Sequence, residues 1–151
     1  VKAKQPSSSV TFAEQIGMLR RAMRRVLIKR LARESDRSMQ QLLALRSIAL
    51  KQVETQAALA SRLVIDAPAA NRLVAQLEKD GLVQRVRGRD RREVRLKVTA
   101  AAAPEIRAIR VGLEWLDAEM LAQLGGPAFR AMMESLGTLQ VGLCNDCGLP
   151  E

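Results

Sequence analysis

A chain of 151 residues has room for one domain with a real core and not comfortably for two, and with aromatics at 2% against an apolar fraction of 48% that core must be aliphatic. The absence of histidine and tyrosine, and of any carboxylate pair in a recognisable catalytic frame, excludes a histidine-based metal site or catalytic triad and leaves no enzyme chemistry, metal or cofactor to expect. The net charge of +9 is unevenly spread: residues 1–99 carry 22 of the 25 lysines and arginines against 9 acids, and residues 100–151 carry 3 against 7, so one part of the chain is built to face polyanions and the other is not.

The opening "KQPSSSV" reads as a flexible arm. From Phe12 the apolar residues Phe12, Ile16, Leu19, Met23, Val26 and Leu31 recur at three- and four-residue steps, which predicts one stripe of a helix. The other face carries Arg20, Arg21, Arg24, Arg25, Lys29 and Arg33; it reads first as a solvated face, with contact to phosphates or an anionic ligand as the alternative. Ser38 followed by Gln41 is a capping box, and the helix it opens is rich enough in leucine to be central. Thr55 caps "TQAALASRL"; Asp66 then caps "APAANRLVAQLEKDG", with Pro68 tolerated in the first turn and Gly81 closing the helix. Beyond it the period changes to two over Leu82 to Arg87 and Val94 to Val98, predicting a β-hairpin with "GRDRR" near its tip and with Arg85, Arg87 and Arg95 on the solvent side. A helical period returns through Ile106, Ile109, Leu113, Leu116, Met120 and Leu124, and after the "GGP" break through Phe129, Met133, Leu136, Leu139 and Leu143. Pro104 lies beyond the first turn of a helix capped at Thr99, so that helix must start late or kink.

The expected fold is mainly α with a small β-hairpin: a winged helix-turn-helix over about residues 38–99, with terminal helices over about 10–36 and 100–147 whose stripes a symmetric dimer would cover. No apolar run approaches a bilayer span and the N-terminus lacks a signal-peptide core, so a soluble cytoplasmic protein with no membrane contact is expected. In a winged helix the second helix of the pair fits the major groove and the hairpin tip reaches the neighbouring minor groove or backbone. The candidate DNA-contacting residues are therefore Thr55 and Gln56 opening the first helix, Ala67, Ala69, Asn71, Arg72 and Gln76 on the second, and Arg85, Arg87, Arg89, Asp90, Arg91, Arg92 and Arg95 in the hairpin. Asn71 and Arg72 can read adenine or guanine through paired hydrogen bonds, and the alanines allow close approach or contact with a thymine methyl.

From Thr55 to Thr99 the sequence resembles the multiple-antibiotic-resistance regulator (MarR) family of bacterial transcription factors. The resemblance rests on "TQAALASRL", "NRLVAQLEKDGLV" and "DRREVRLKVT", with Asp90, Arg92 and Thr99 at the family's wing spacing and Leu77, Glu78, Gly81 and Leu82 at the end of the recognition helix. It implies a homodimer joined through its terminal helices on double-stranded DNA carrying a pseudo-palindromic operator, more often a repressor than an activator. It further implies that Arg92 enters the minor groove, that Asp90 pairs with a nearby arginine to fix the wing, and that Thr99 opens the next helix. A small anionic or phenolic effector would bind near the first two helices and the start of the long fifth one, with an arginine of the first helix as its carboxylate partner. The chain departs from the family pattern at Ala70, where a bulkier residue is usual, and in "TAAAAPEI", which lacks the glycine that commonly follows the threonine.

Cys144 and Cys147, in "CNDC", read as incidental tail cysteines or as a thiol switch that could release DNA on oxidation. A rival reading makes the pair the centre of a thiol-disulfide enzyme, although redox enzymes place such a pair between a strand and a helix, and here it follows a long helix.

Overall fold

The computed structural model describes residues 10–87 and 94–147, with side chains as far as Leu143 in the last helix. Six α-helices and one hairpin follow in the order α1 (Phe12–Leu31), α2 (Met39–Ala49), α3 (Gln56–Leu63), α4 (Ala67–Lys79), β1 (Val83–Arg87), β2 (Val94–Val98), α5 (Ala103–Leu124) and α6 (Gly126–Cys147). The expected fold class is therefore what the chain adopts. It divides into two compact units within α5, one ending at Leu113 and one beginning at Glu114. No described helix is long and apolar enough to cross a membrane.

The helix starts follow from local chemistry. Ser38 accepts from the N–H of Gln41 while the Gln41 amide accepts from the Ser38 N–H, completing the capping box. Thr55 accepts from Ala58 N–H, and Asp66 from Ala69 N–H at 2.6 Å, so α3 and α4 each begin with one orphan donor satisfied. Thr11 and Glu14 form a further capping box on α1, and the Thr11 N–H and hydroxyl hold the Glu14 carboxyl below its ordinary pKa. At the other end of α4, Gly81 adopts φ +71° and the Leu82 N–H donates to the Leu77 carbonyl at 2.9 Å. That bond closes the helix and delays the strand to Val83, one residue later than the alternation predicts.

The first unit is built around α2, α3, α4 and the hairpin. Leu45, Leu59, Val74 and Leu77 are fully buried, and Leu82, Val83 and Leu96 close the cluster from the sheet side. All are aliphatic, as the composition requires. Only Leu27 and Leu31 of α1 are buried; Phe12, Leu19 and Val26, which the spacing placed on one stripe with Leu31, are exposed. The apolar residues of α1 span an arc wider than one helix contact covers, so Leu27 and Leu31 turn inward and leave a second apolar edge outside. Gly112 of α5 lies against this inward edge: a Cβ there would stand 3.0 Å from methyl groups of both Leu27 and Leu31, so a larger residue would require both leucines to give by a few tenths of an ångström.

Pro104 falls in the first turn of α5, because a short 3-10 turn over Ala100–Ala102 delays the helix to Ala103. Thr99 does not cap with its side chain. Its hydroxyl donates to the Gly81 carbonyl and its N–H to the Leu82 carbonyl, so the threonine fastens the strand end to the end of α4. In the second unit Gly125, at φ +77°, separates α5 from α6, and Leu121, Leu124, Met133, Leu136, Leu139 and Leu143 are exposed.

Val64 ends α3 in the left-handed region at φ +53°, a conformation that crowds a β-branched side chain. It is 90% exposed, so its side chain contributes little burial. Val64→Gly is expected to stabilise the fold by about 1 kcal/mol, visible as a rise of a few degrees in Tm; an unchanged or lower Tm would contradict this account of the turn.

Candidate nucleic-acid interface

The Asp66 cap and Pro68 set the start of α4, and the buried trio Ala70, Val74 and Leu77 sets its rotation. At 100° per residue, that inner face leaves Ala67, Pro68, Asn71, Arg72, Ala75, Gln76 and Lys79 exposed together. The candidate residues Ala67, Asn71, Arg72 and Gln76 thus share one outward face, while Ala69 is half-buried. Ala70, the departure from the family pattern, is fully buried.

The hairpin is antiparallel, with Val83 opposite Val98, Arg85 opposite Leu96, Val86 opposite Arg95 and Arg87 opposite Val94. Directly opposed residues share a face, so Arg85 and Arg87 lie on the Leu96 side and Arg95 on the other. The expectation that Arg85, Arg87 and Arg95 project together is corrected by this register: alternation counted within each strand does not fix the phase between strands. Arg95 donates to Glu54 Oε2 at 2.8 Å, and the Leu96 N–H donates to the Glu54 carbonyl at 2.7 Å, tying β2 to the segment before α3. Arg85 turns towards the helix pair. Its Nη2 donates to Gln56 Oε1 at 3.2 Å and to Asn71 Oδ1 at 3.3 Å, and its Nη1 lies 3.1 Å from Glu78 Oε2. Thr55 spends its hydroxyl on the α3 cap. Arg89, Asp90, Arg91 and Arg92 lie outside the described residues, as do the side chains of Cys144 and Cys147, whose backbone belongs to the end of α6.

Sequence reasoning passed over a polar cluster behind α4. Arg37 pairs with Asp80, the C-terminal cap of α4; its Nε lies 3.8 Å from Glu105 Oε1, and the Ser35 hydroxyl donates to the other oxygen of Glu105. Asp80 also accepts from the Gln76 amide at 2.9 Å. This ties the end of α4 to the α1–α2 connection and to the first turn of α5. The partners are far apart in sequence, Arg37 and Asp80 by 43 positions and Ser35 and Glu105 by 70, and no spacing rule joins them. Next to this cluster, Arg24, Ile28, Leu31, Ser35, Arg37 and Met39 line a groove of about 510 Å³.

A helix pair with an exposed second helix, followed by an antiparallel hairpin docked on both helices, is the geometry of a winged helix. The MarR family model matches residues 38–94, from the Ser38 cap to the first residue of β2. Over that segment the chain is similar to the MarR family. Solved MarR-type structures extend the likeness beyond that segment. The transcriptional regulator PA3341 superposes with a TM-score of 0.79 at 26% identity, covering 89% of this chain and 99% of its own. MepR of S. aureus, solved in complex with DNA, gives 0.75 at 18% identity over 91% and 99% of the two chains. The reduced form of MarR from E. coli gives 0.73 at 22% identity over 88% and 98%. At those identities the last two speak to the MarR fold alone. No curated protein sequence matches the chain.

Proposed function

We propose that the protein is a homodimeric, sequence-specific DNA-binding transcriptional regulator acting as a repressor, without enzymatic activity and resident in the cytoplasm. Residues 38–99 form its DNA-binding lobe, and the helices over 10–36 and 100–147 its dimerisation elements. The observation that carries this reading is the exposed face of α4, where Asn71 and Arg72 stand clear of the core beside a hairpin docked on the same helix. Such a face offers paired donors to base edges while the hairpin holds it in register. The MarR-family match and the solution of a similarly folded protein on DNA favour the same reading. Dimerisation is favoured by the apolar side chains left exposed on α1 and on α6, which a second copy would cover.

For release, the reading takes a small anionic or phenolic effector or thiol oxidation at Cys144 and Cys147. The 510 Å³ groove supports the effector route: Arg24 supplies a cation from α1, Ile28, Leu31 and Met39 an apolar wall, and Arg37 a direct link to the end of α4. Selection of bound fragments from the source genome, repeated with phenolic carboxylates and with oxidant, tests the proposal. An enriched palindrome lost on addition of either agent is the expected result, and recovery of no palindrome would overturn it.

A further inference from the structure

We infer that Arg85 sets the base preference of Asn71 by fixing the polarity of its amide, so that Asn71 reads an acceptor base, guanine, rather than the adenine that its side chain reads when free. This rests on the DNA-binding reading and adds what the contact at that position recognises.

An asparagine side chain offers a carbonyl on one side and an N–H₂ on the other, and adenine is read by using both together. Here the choice has been made before DNA arrives. The Arg85 guanidinium has only donors, so the side of an amide that meets it must be the oxygen; the reverse orientation would set an N–H₂ group against a cation. Arg85 Nη2 donates to Asn71 Oδ1 at 3.3 Å and to Gln56 Oε1 at 3.2 Å, so both neighbouring amides turn their oxygens to the same nitrogen. The guanidinium is held from behind by Glu78 Oε2, 3.1 Å from Nη1, which anchors it to the same helix that carries Asn71. With its oxygen directed at Arg85, the exposed Asn71 has its N–H₂ to present in the groove. Guanine offers two acceptors on its major-groove edge, O6 and N7, where adenine offers N7 beside a donor that would oppose the amide hydrogens. Arg85 is accordingly a positioning residue, and its charge is already matched by Glu78.

Rounds of selection from a random duplex library with the full-length wild type, Asn71→Ala and Arg85→Ala test this directly, thermal melts confirming that each variant folds. The Asn71→Ala pool identifies the base pair that Asn71 reads, as the position whose preference disappears. At that position the wild type is expected to enrich guanine over adenine by about tenfold, and Arg85→Ala to reverse the preference while keeping the flanking site. Glu78→Gln, which loosens the anchor, should move the preference the same way by a smaller factor. Adenine enriched by the wild type, a preference unmoved by Arg85→Ala, or no position responding to Asn71→Ala would each overturn the assignment. A wild-type pool with no enriched site at all would overturn the DNA-binding reading, and this assignment with it.

Discussion

Raising the salt concentration from about 50 to about 200 mM is expected to weaken binding of the operator by a factor of roughly 10³. Only cations that become neutralised when DNA arrives release counterions on binding. Arg85 is matched by Glu78, Arg95 by Glu54 and Arg37 by Asp80 within the folded chain, so these release few counterions. Arg87 at the exposed end of β1, with two of Arg89, Arg91 and Arg92 and with Asp90 matching the third on the sequence expectation, gives three per protomer; doubled in a dimer this is about six, and a slope of log K against log salt near about −5 follows. Anisotropy titrations across that salt range measure the slope directly. Arg92→Ala removes one contact from each protomer and should flatten it by about 2, whereas Arg95→Ala should leave it nearly unchanged. A slope near zero for the wild type would remove the phosphate contacts from the account.

Leu77→Ala is expected to destabilise the chain by about 3–4 kcal/mol. Leu77 is fully buried on the inner face of α4 and belongs to the cluster that joins α2, α3 and the sheet. The loss combines the transfer free energy of the missing atoms with a cavity that its neighbours cannot fill. The site can collapse little, because the next buried residue towards the start of the helix is Val74, a stiff β-branched side chain, and the one before it is Ala70, with no length to extend. Stabilities of single domains are about 5–15 kcal/mol, so a shift of this size is a large share of the total and should appear as a lower urea midpoint at unchanged slope. A loss below about 1 kcal/mol would mean that α4 is not seated as described. Because Leu77 also sets the rotation of α4, DNA affinity should fall in parallel with the folded fraction and recover when stabilising osmolyte restores folding.

Apart from Thr99, the helix caps agree with the sequence, because the deciding interaction spans a few residues. Ser38 with Gln41, Thr55 with the Ala58 N–H, Asp66 with the Ala69 N–H and Gly81 at positive φ are all complete within one turn of helix, and their chemistry can be read from residue type and spacing. The change of period from 3.6 to 2 after Gly81 marked the hairpin for the same reason. The α1 stripe shows where that reasoning stops. Periodicity showed that Phe12, Leu19, Val26 and Leu31 are apolar and helical, but which of them enters the core depends on where α5 lies, and Gly112 brings α5 against Leu27 and Leu31.

By itself the sequence determined the order of helices and strands, the caps that start them, the aliphatic core, and a basic helix-helix-hairpin unit, because each of these is local or compositional. Tertiary structure decided the partners of the arginines. The cross-strand register sends Arg85 to Gln56, Asn71 and Glu78 and Arg95 to Glu54, and the packing of the end of α4 brings Asp80 to Arg37. Charge pairing depends on distance in space, and a chain that lists its cations in order does not say which of them folding will neutralise and which it will leave for DNA.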